Sequence, residues 1–175
     1  MKQISQLELQ QRLSQVKLLA LDVDGVLTDG GLYYTETGEE LKKFNVKDGM
    51  GLKLLMQAGI EVAIITNSNS PSVWHRAKKL GISHVFVDID EKLPILESLC
   101  SQLGLTLQQV AYVGDDINDI PILKQVACPL TVADAIKQNQ NLAIYTTKAT
   151  GGNGAVREVC ELILESILAF NLINS

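Results

Sequence analysis

Two apolar runs that each end in carboxylates constrain this chain more than any other feature. Val16-Lys17-Leu18-Leu19-Ala20-Leu21 leads into Asp22-Val23-Asp24-Gly25-Val26-Leu27-Thr28-Asp29-Gly30. Much later, Val110-Ala111-Tyr112-Val113 leads into Gly114-Asp115-Asp116-Ile117-Asn118-Asp119. A short continuous apolar run bounded by turn residues reads as a buried strand. Asp22 and Asp24, two apart at a strand end, point the same way, and a glycine turn and a hydroxyl residue follow them. Such a segment can hold Mg²⁺ beside a carboxylate nucleophile. Acids at two distant strand ends imply one metal site assembled by the fold.

Strand and helix patterns alternate along the rest of the chain. A β-hairpin is predicted over Gly31–Phe44 with its turn near Thr37-Gly38. Asp48 is a candidate cap for a helix to about Ala58, closed by Gly59. Glu61–Ile65 reads as the second strand. Pro71 opens a helix to Leu80 that Gly81 ends. Val85–Val87 is a short strand, Lys92–Leu103 a helix ended by Gly104, and Ile120–Val126 another helix. Leu130–Val132 and Ala143–Tyr145 are short extended segments. Gly151-Gly152-Asn153-Gly154 is expected to be a flexible loop before a last helix over 155–170, and the polar first fifteen residues read as an amphipathic lead helix. Repeated βα units with apolar strands predict an α/β fold: an open parallel sheet with helices on both faces, in one domain over 1–175. Such sheets bind ligands beyond the carboxyl ends of their strands. Both acidic segments fall there, and so does Thr66.

Charge and composition remove other classes. The net charge is −5, which offers no basic footprint for nucleic acid. No run of apolar residues is long enough to span a membrane. Cys100, Cys128 and Cys160 have no paired spacing and read as buried thiols in a reducing compartment, the cytoplasm.

Mg²⁺ prefers hard oxygen ligands. Asp22 and Asp115 can supply carboxylates, and Asp24 a backbone carbonyl. Asp22 can then attack phosphorus to give an aspartyl-phosphate, while Asp24 gives a proton to the leaving alkoxide and later takes one from water. Phosphoryl transfer depends on positioned donors and cations; Thr66 offers a hydroxyl and Lys92 a cation. Each of these residues taken alone has an ordinary structural explanation. Their order after successive strands is what makes them a site.

Asp22-Val23-Asp24-Gly25-Val26-Leu27-Thr28, Ile65-Thr66-Asn67, Lys92 and Gly114-Asp115-Asp116-Ile117-Asn118-Asp119 resemble the four motifs of the haloacid dehalogenase superfamily of phosphatases. The resemblance implies Asp22 as nucleophile, Asp24 as acid/base, Thr66 and Lys92 on the phosphoryl group, Asp115 as metal ligand, and Asp116 and Asp119 in support. The intervals Asp24–Thr66 and Thr66–Lys92 are too short for the superfamily's cap domains, so a neighbouring subunit is the simplest cover for the site.

Asp29-Gly30-Gly31-Leu32-Tyr33-Tyr34, Gly38-Glu39, Phe44-Asn45-Val46-Lys47-Asp48-Gly49-Met50-Gly51 and Gly151-Gly152-Asn153-Gly154-Ala155-Val156-Arg157-Glu158 look more narrowly like the 3-deoxy-D-manno-octulosonate 8-phosphate phosphatases. That family includes phosphatases for nine-carbon sugar acids. The likeness implies a homotetramer whose hairpins form a central barrel, and a cytoplasmic role in lipopolysaccharide biosynthesis. It also places Lys47, Asn67, Arg76 and Arg157 near the substrate, where arginine forks suit carboxylate and phosphate. Two departures stand out. The octulosonate enzymes usually carry Ser-Gly-Arg where this chain has Thr66-Asn67-Ser68, and arginine where it has Lys47. Trp74 and His75 read as packing and surface residues. A phospho-aspartate signalling module is the alternative from another class, but its acids come in the reverse order along the chain. A non-catalytic partner keeping the fold would not need every motif residue.

Overall fold

Alternation within the apolar strands divides their side chains between two cores. The computed structural model describes residues 4–174. Its strands are β1 (Leu18–Leu21), β2 (Tyr33–Tyr34), β3 (Glu40–Leu41), β4 (Glu61–Ile65), β5 (His84–Phe86), β6 (Val110–Val113), β7 (Cys128–Thr131) and β8 (Tyr145–Thr146). Its helices are α1 (Gln6–Leu13), α2 (Val46–Gln57), α3 (Pro71–Leu80), α4 (Lys92–Leu103), α5 (Ile120–Leu123), α6 (Lys137–Leu142) and α7 (Ala155–Asn174). Six strands form one parallel sheet in the order β5-β4-β1-β6-β7-β8, and β2 and β3 pair antiparallel as a separate hairpin.

Leu19, Leu21, Val62, Ile64, Ala111 and Val113 face α1, α2, α3 and α7, where Leu13, Leu52, Leu55, Val73 and Val159 pack on them. Their sequence neighbours Leu18, Ala20, Ala63, Ile65, Val110 and Tyr112 face Leu96 and Leu99 of α4 and Ile122 and Leu123 of α5. The period of two sends successive residues to opposite faces, and a parallel sheet covered on both faces needs apolar residues on each. Each fully buried leucine contributes roughly 1.5–3 kcal/mol.

Register then builds the site. Leu21 pairs with Ile64 on one side and Val113 on the other, so Asp22, Thr66 and Gly114-Asp115 emerge at one edge of the sheet. The chain steps outward from β1 to β4 and β5, then returns to the other flank at β6. The crevice between β1 and β6 is therefore the topological switch point, where open α/β sheets bind ligands.

The hairpin forms with its turn where expected: Thr35 N–H donates to Glu39 O at 2.9 Å, and Gly38 takes φ 83°. Between Asp24 and Thr66 lie only this hairpin, α2 and β4, and between Thr66 and Lys92 only α3 and β5. No helix among the described residues is long and apolar enough to cross a membrane.

Several expectations need correction. Asn45, not Asp48, caps α2, its side chain accepting from Lys47 N–H at 2.8 Å. Asp48 lies in the first turn, buried, and accepts from Arg157 N–H at 2.8 Å, which fastens α2 to the start of α7. β5 starts one residue early, and β8 sits at 145–146 because α6 occupies 137–142 just before it. α5 stops at Leu123 and is preceded by a 3₁₀ turn, Ile117–Asp119.

The glycine segment at 151–154 is a packed turn. Gly151 and Gly152 are buried against the loop after β1: a Cβ on Gly151 would lie 1.8 Å from Gly25 O, and one on Gly152 2.4 Å from Asp29 N. Only glycine lets two backbones approach this closely. The segment thereby braces the loop that carries Asp24.

Candidate active site

Asp22 stands one residue past β1, and its side chain is almost entirely buried. Its Oδ1 accepts from Val23 N–H at 2.7 Å, and its Oδ2 meets Lys92 Nζ at 2.8 Å. Lys92 is the first residue of α4, with a fully buried side chain, and its Nζ also reaches Asp119 Oδ1 at 2.7 Å. Tyr112, inward-facing on β6, donates its hydroxyl to the same oxygen at 2.6 Å. The other oxygen of Asp119 accepts from the N–H groups of Asp115 and Asp116 at 2.9 and 3.2 Å. Asp119 thus takes four donors, two on each oxygen. Gly114 makes room for it, since a Cβ there would lie 2.3 Å from the Asp119 carboxyl carbon.

Asp115 completes the inner cluster. Ligand atoms of Asp22, Asp115 and Asp119 lie within 4.8 Å of one another. Asp115 Oδ1 is buried without a hydrogen-bond partner, an arrangement that costs free energy unless a cation or donor arrives. Gly25, at φ +77°, is needed beside it: a Cβ would stand 2.0 Å from Asp115 Oδ2. Because Asp119 is saturated, Asp22 and Asp115 are the carboxylates open to a hard divalent ion, and this oxygen-only donor set fits Mg²⁺.

Burial and mutual repulsion set the charge state of these acids. Burial pushes Asp22 up to about 6, assisted by Asp119 and opposed by Lys92. Burial pushes Asp115 up to about 8, with Asp22, Asp119 and Asp116 adding to the effect. Burial opposes the charge on Lys92, but Asp22 and Asp119 outweigh it and raise the lysine above its ordinary value. Two carboxylates held partly protonated around a fixed ammonium form a site poised to exchange protons for a cation.

Asp24 belongs to a second network. Its carboxylate receives Lys42 Nζ at 2.6 Å on Oδ1 and 2.9 Å on Oδ2. Lys42 follows β3 of the hairpin; it also meets Glu40 Oε1 at 2.9 Å, while Tyr34 OH donates to Glu40 Oε2 at 3.1 Å. These groups bound a polar cleft of about 470 Å³ lined by Asp22, Asp24, Leu32, Glu40, Lys42, Thr66, Asn67, Ser68, Asn69, Asp88 and Asn118.

The structure brings Asp22, Asp24 and Thr66 to this cleft, with Lys92 behind Asp22 and Asp115 beside it. Thr66 is buried, and its Oγ1 accepts from Ser68 N–H at 3.1 Å. Asn67 lines the cleft and donates to Asp90. Lys47, Arg76 and Arg157 do not line it. Lys47 is exposed at the start of α2. Arg76 donates to Asn45 O at 2.7 Å and stacks over Phe44 at 5.6 Å, and Arg157 pairs with Glu161 at 2.7 Å. Sequence reasoning missed Lys42 and Tyr112. Lys42 stands two residues from Glu40 along an extended strand, a spacing that puts both on one face and could have flagged the pair.

Comparison with known proteins fits this geometry. The haloacid dehalogenase-like hydrolase family model matches residues 45–127. The 3-deoxy-D-manno-octulosonate 8-phosphate phosphatase KdsC of Yersinia pestis is 46% identical over 154 residues, covering 88% of this chain and 82% of that protein. This chain belongs to the 3-deoxy-D-manno-octulosonate 8-phosphate phosphatase family. The KdsC protein of Escherichia coli K12 is 44% identical over 153 residues, covering 87% of this chain and 81% of its own. The crystal structure of the Moraxella catarrhalis phosphatase, in complex with magnesium ion, phosphate ion and KDO, superposes with a TM-score of 0.91 at 43% identity, covering 98% of this chain and 100% of that one. The cleft wall of Thr66-Asn67-Ser68-Asn69 contains no arginine.

Proposed function

We propose that this protein is a Mg²⁺-dependent phosphomonoesterase, a capless single-domain enzyme that hydrolyses 3-deoxy-D-manno-octulosonate 8-phosphate to the free sugar acid and phosphate. The observation that carries the reading is the buried Asp22, clasped by Lys92 and set beside an Asp115 oxygen that lacks a partner. The substrate is supported by relatives of that activity at 44–46% identity over most of the chain.

Asp22 Oδ attacks the phosphorus, the bond from phosphorus to the sugar oxygen breaks, and Asp24 gives its proton to the departing alkoxide. The product is an aspartyl-phosphate on Asp22. Water then attacks that phosphorus while Asp24 takes a proton from it, and phosphate leaves with Asp22 restored. Lys92 stays fixed by Asp119 and Tyr112, so it offers positive charge without reorganising. The Thr66 hydroxyl and its neighbouring N–H groups meet the phosphoryl oxygens. Mg²⁺ held by Asp22, Asp115 and the Asp24 carbonyl would neutralise the repulsion between anionic nucleophile and anionic phosphate.

The open cleft needs cover. Leu32, Tyr33, Tyr34 and Leu41 of the hairpin are all at least half exposed, which supports burial against other copies in a homotetramer. Lys47, Arg76 and Arg157 are then the cations available to a substrate carboxylate from outside the protomer's own cleft. The assembly would work in the cytoplasm.

The test is phosphate release from 3-deoxy-D-manno-octulosonate 8-phosphate, a sialic acid 9-phosphate and hexose phosphates, each with Mg²⁺ and with chelator. Metal-dependent preference for the octulosonate is expected. Preference for the nine-carbon ester would keep the mechanism and replace the substrate. A phospho-aspartate that persisted for minutes would replace the hydrolase with a signalling module.

A further inference from the structure

We infer that Lys42, carried by the hairpin, is a positioning residue for Asp24, and that the hairpin thereby controls turnover as well as assembly; this rests on the reading of Asp24 as proton donor. The side chain of Lys42 is 1% exposed although it comes from the most exposed part of the fold. An ammonium has three N–H donors. Here three carboxylate oxygens stand within 2.9 Å of it: both oxygens of Asp24 and Oε1 of Glu40. The hydrogen bonds of Lys42 go to both oxygens of Asp24, with Glu40 Oε1 as a close ionic neighbour, and the side chain is buried, so Lys42 acts through Asp24 rather than on substrate.

Asp24 needs such a partner. Its side chain is about one-third exposed, and its remaining side-chain bond is a long one, from Thr28 Oγ1 at 3.4 Å. A proton donor is effective only when its oxygen is held within reach of the leaving group. Two bonds from one ammonium restrict the carboxylate to a single orientation. Glu40 fixes the lysine in turn, and Tyr34 fixes Glu40, so a relay of side chains runs from the outer face of the hairpin to Asp24. Lys92 plays the same part for Asp22, but from the core.

A double-mutant cycle tests this, with kcat and KM measured for wild type, Asp24→Asn, Lys42→Met and the double variant, and oligomeric state checked by sedimentation. Lys42→Met should lower kcat about tenfold to 100-fold with KM within about threefold. That loss should vanish on the Asp24→Asn background, because coupled residues are non-additive. Lys42→Arg should recover part of the rate. A raised KM at unchanged kcat would make Lys42 a substrate contact and overturn the inference, as would a loss that persists without Asp24. Full turnover by Asp24→Asn alone would instead sink the proton-donor role on which the inference rests. Should Lys42→Met fail to fold, Glu40→Gln removes the negative charge of one of the lysine's two partners and leaves the hairpin intact. A kcat loss that disappears without Asp24 supports the inference; a persisting loss, or none, overturns it.

Discussion

The two halves of the site are built from the same parts and held in opposite ways. Each pairs an aspartate of the proposed mechanism with a lysine and a second carboxylate that carries a tyrosine. In the inner half, Asp22, Lys92, Asp119 and Tyr112 come from strand ends and a helix start, and all four are buried. In the outer half, Asp24, Lys42, Glu40 and Tyr34 depend on a hairpin with two-residue strands, and Tyr34 is 61% exposed. Asp22, the proposed nucleophile, is thus fixed by folding itself. Asp24, the proposed proton donor, is fixed by an element that has little packing of its own within the protomer.

The largest effect should come from the centre of the inner half. Asp22→Asn removes the nucleophile with almost no change in shape, so turnover should fall by more than about 10³-fold while the thermal midpoint holds or rises. Retained turnover would end the nucleophile assignment and the contrast built on it. Asp119→Ala should come next. It takes one of two carboxylates from Lys92 and strands the Tyr112 hydroxyl and two backbone N–H groups in a buried space, a loss of about 3–5 kcal/mol in urea unfolding. Glu40→Ala on the outer side should cost less than about 1 kcal/mol. Equal losses would show that the halves are equally rigid.

Metal and pH separate the halves further. The folded metal-free protein keeps a proton on Asp115 up to about pH 8, whereas an unfolded chain releases it near 3.8. The folded state binds more protons across that window, so the stability this carboxyl contributes is full below 3.8 and is lost as pH rises toward 8. Asp22 acts in the same direction up to about 6. Mg²⁺ displaces those protons, so it should raise the thermal midpoint more at about pH 8 than at about pH 6. A gap that narrows with pH would mean the inner acids are already ionised without metal.

How much of this was legible in the sequence follows the same division. Asp22, Asp24, Thr66, Lys92 and Asp115 were readable because each lies at the end of an apolar strand or the start of a helix, where local pattern fixes position. Tyr112 was not, because it belongs to the apolar run of β6 and only its partner across the sheet end reveals its hydroxyl. Lys42 was not either, since nothing local says that the hairpin folds back on Asp24. α6, Lys-Gln-Asn-Gln-Asn-Leu, has no apolar period to detect; Asn139, which donates to Asp116 O at 2.9 Å, helps tie it down instead. The glycine run at 151–154 read as flexible because composition cannot distinguish a free loop from one pressed against another backbone. Gly151→Ala separates these cases: it should cost about 1–3 kcal/mol if the turn is pressed against the Gly25 backbone and little if the loop is free.

The smallest effect lies at the far end of the outer relay and sharpens the comparison most. Tyr34→Phe removes only the hydroxyl that donates to Glu40. In a free protomer that bond is open to water, so kcat should change by less than about threefold. If the hairpins pack against other copies, the same hydroxyl leaves water, and its loss should slow turnover more in the assembled enzyme than in dilute, dissociated protein. Measuring kcat for wild type and Tyr34→Phe across a dilution series that spans dissociation tests this directly. A ratio that grows with assembly would mean that the outer half acquires from its neighbours the rigidity that the inner half has from the core. A ratio that stays flat would mean that Lys42 and Glu40 hold Asp24 unaided, and that the exposed tyrosines serve contact alone.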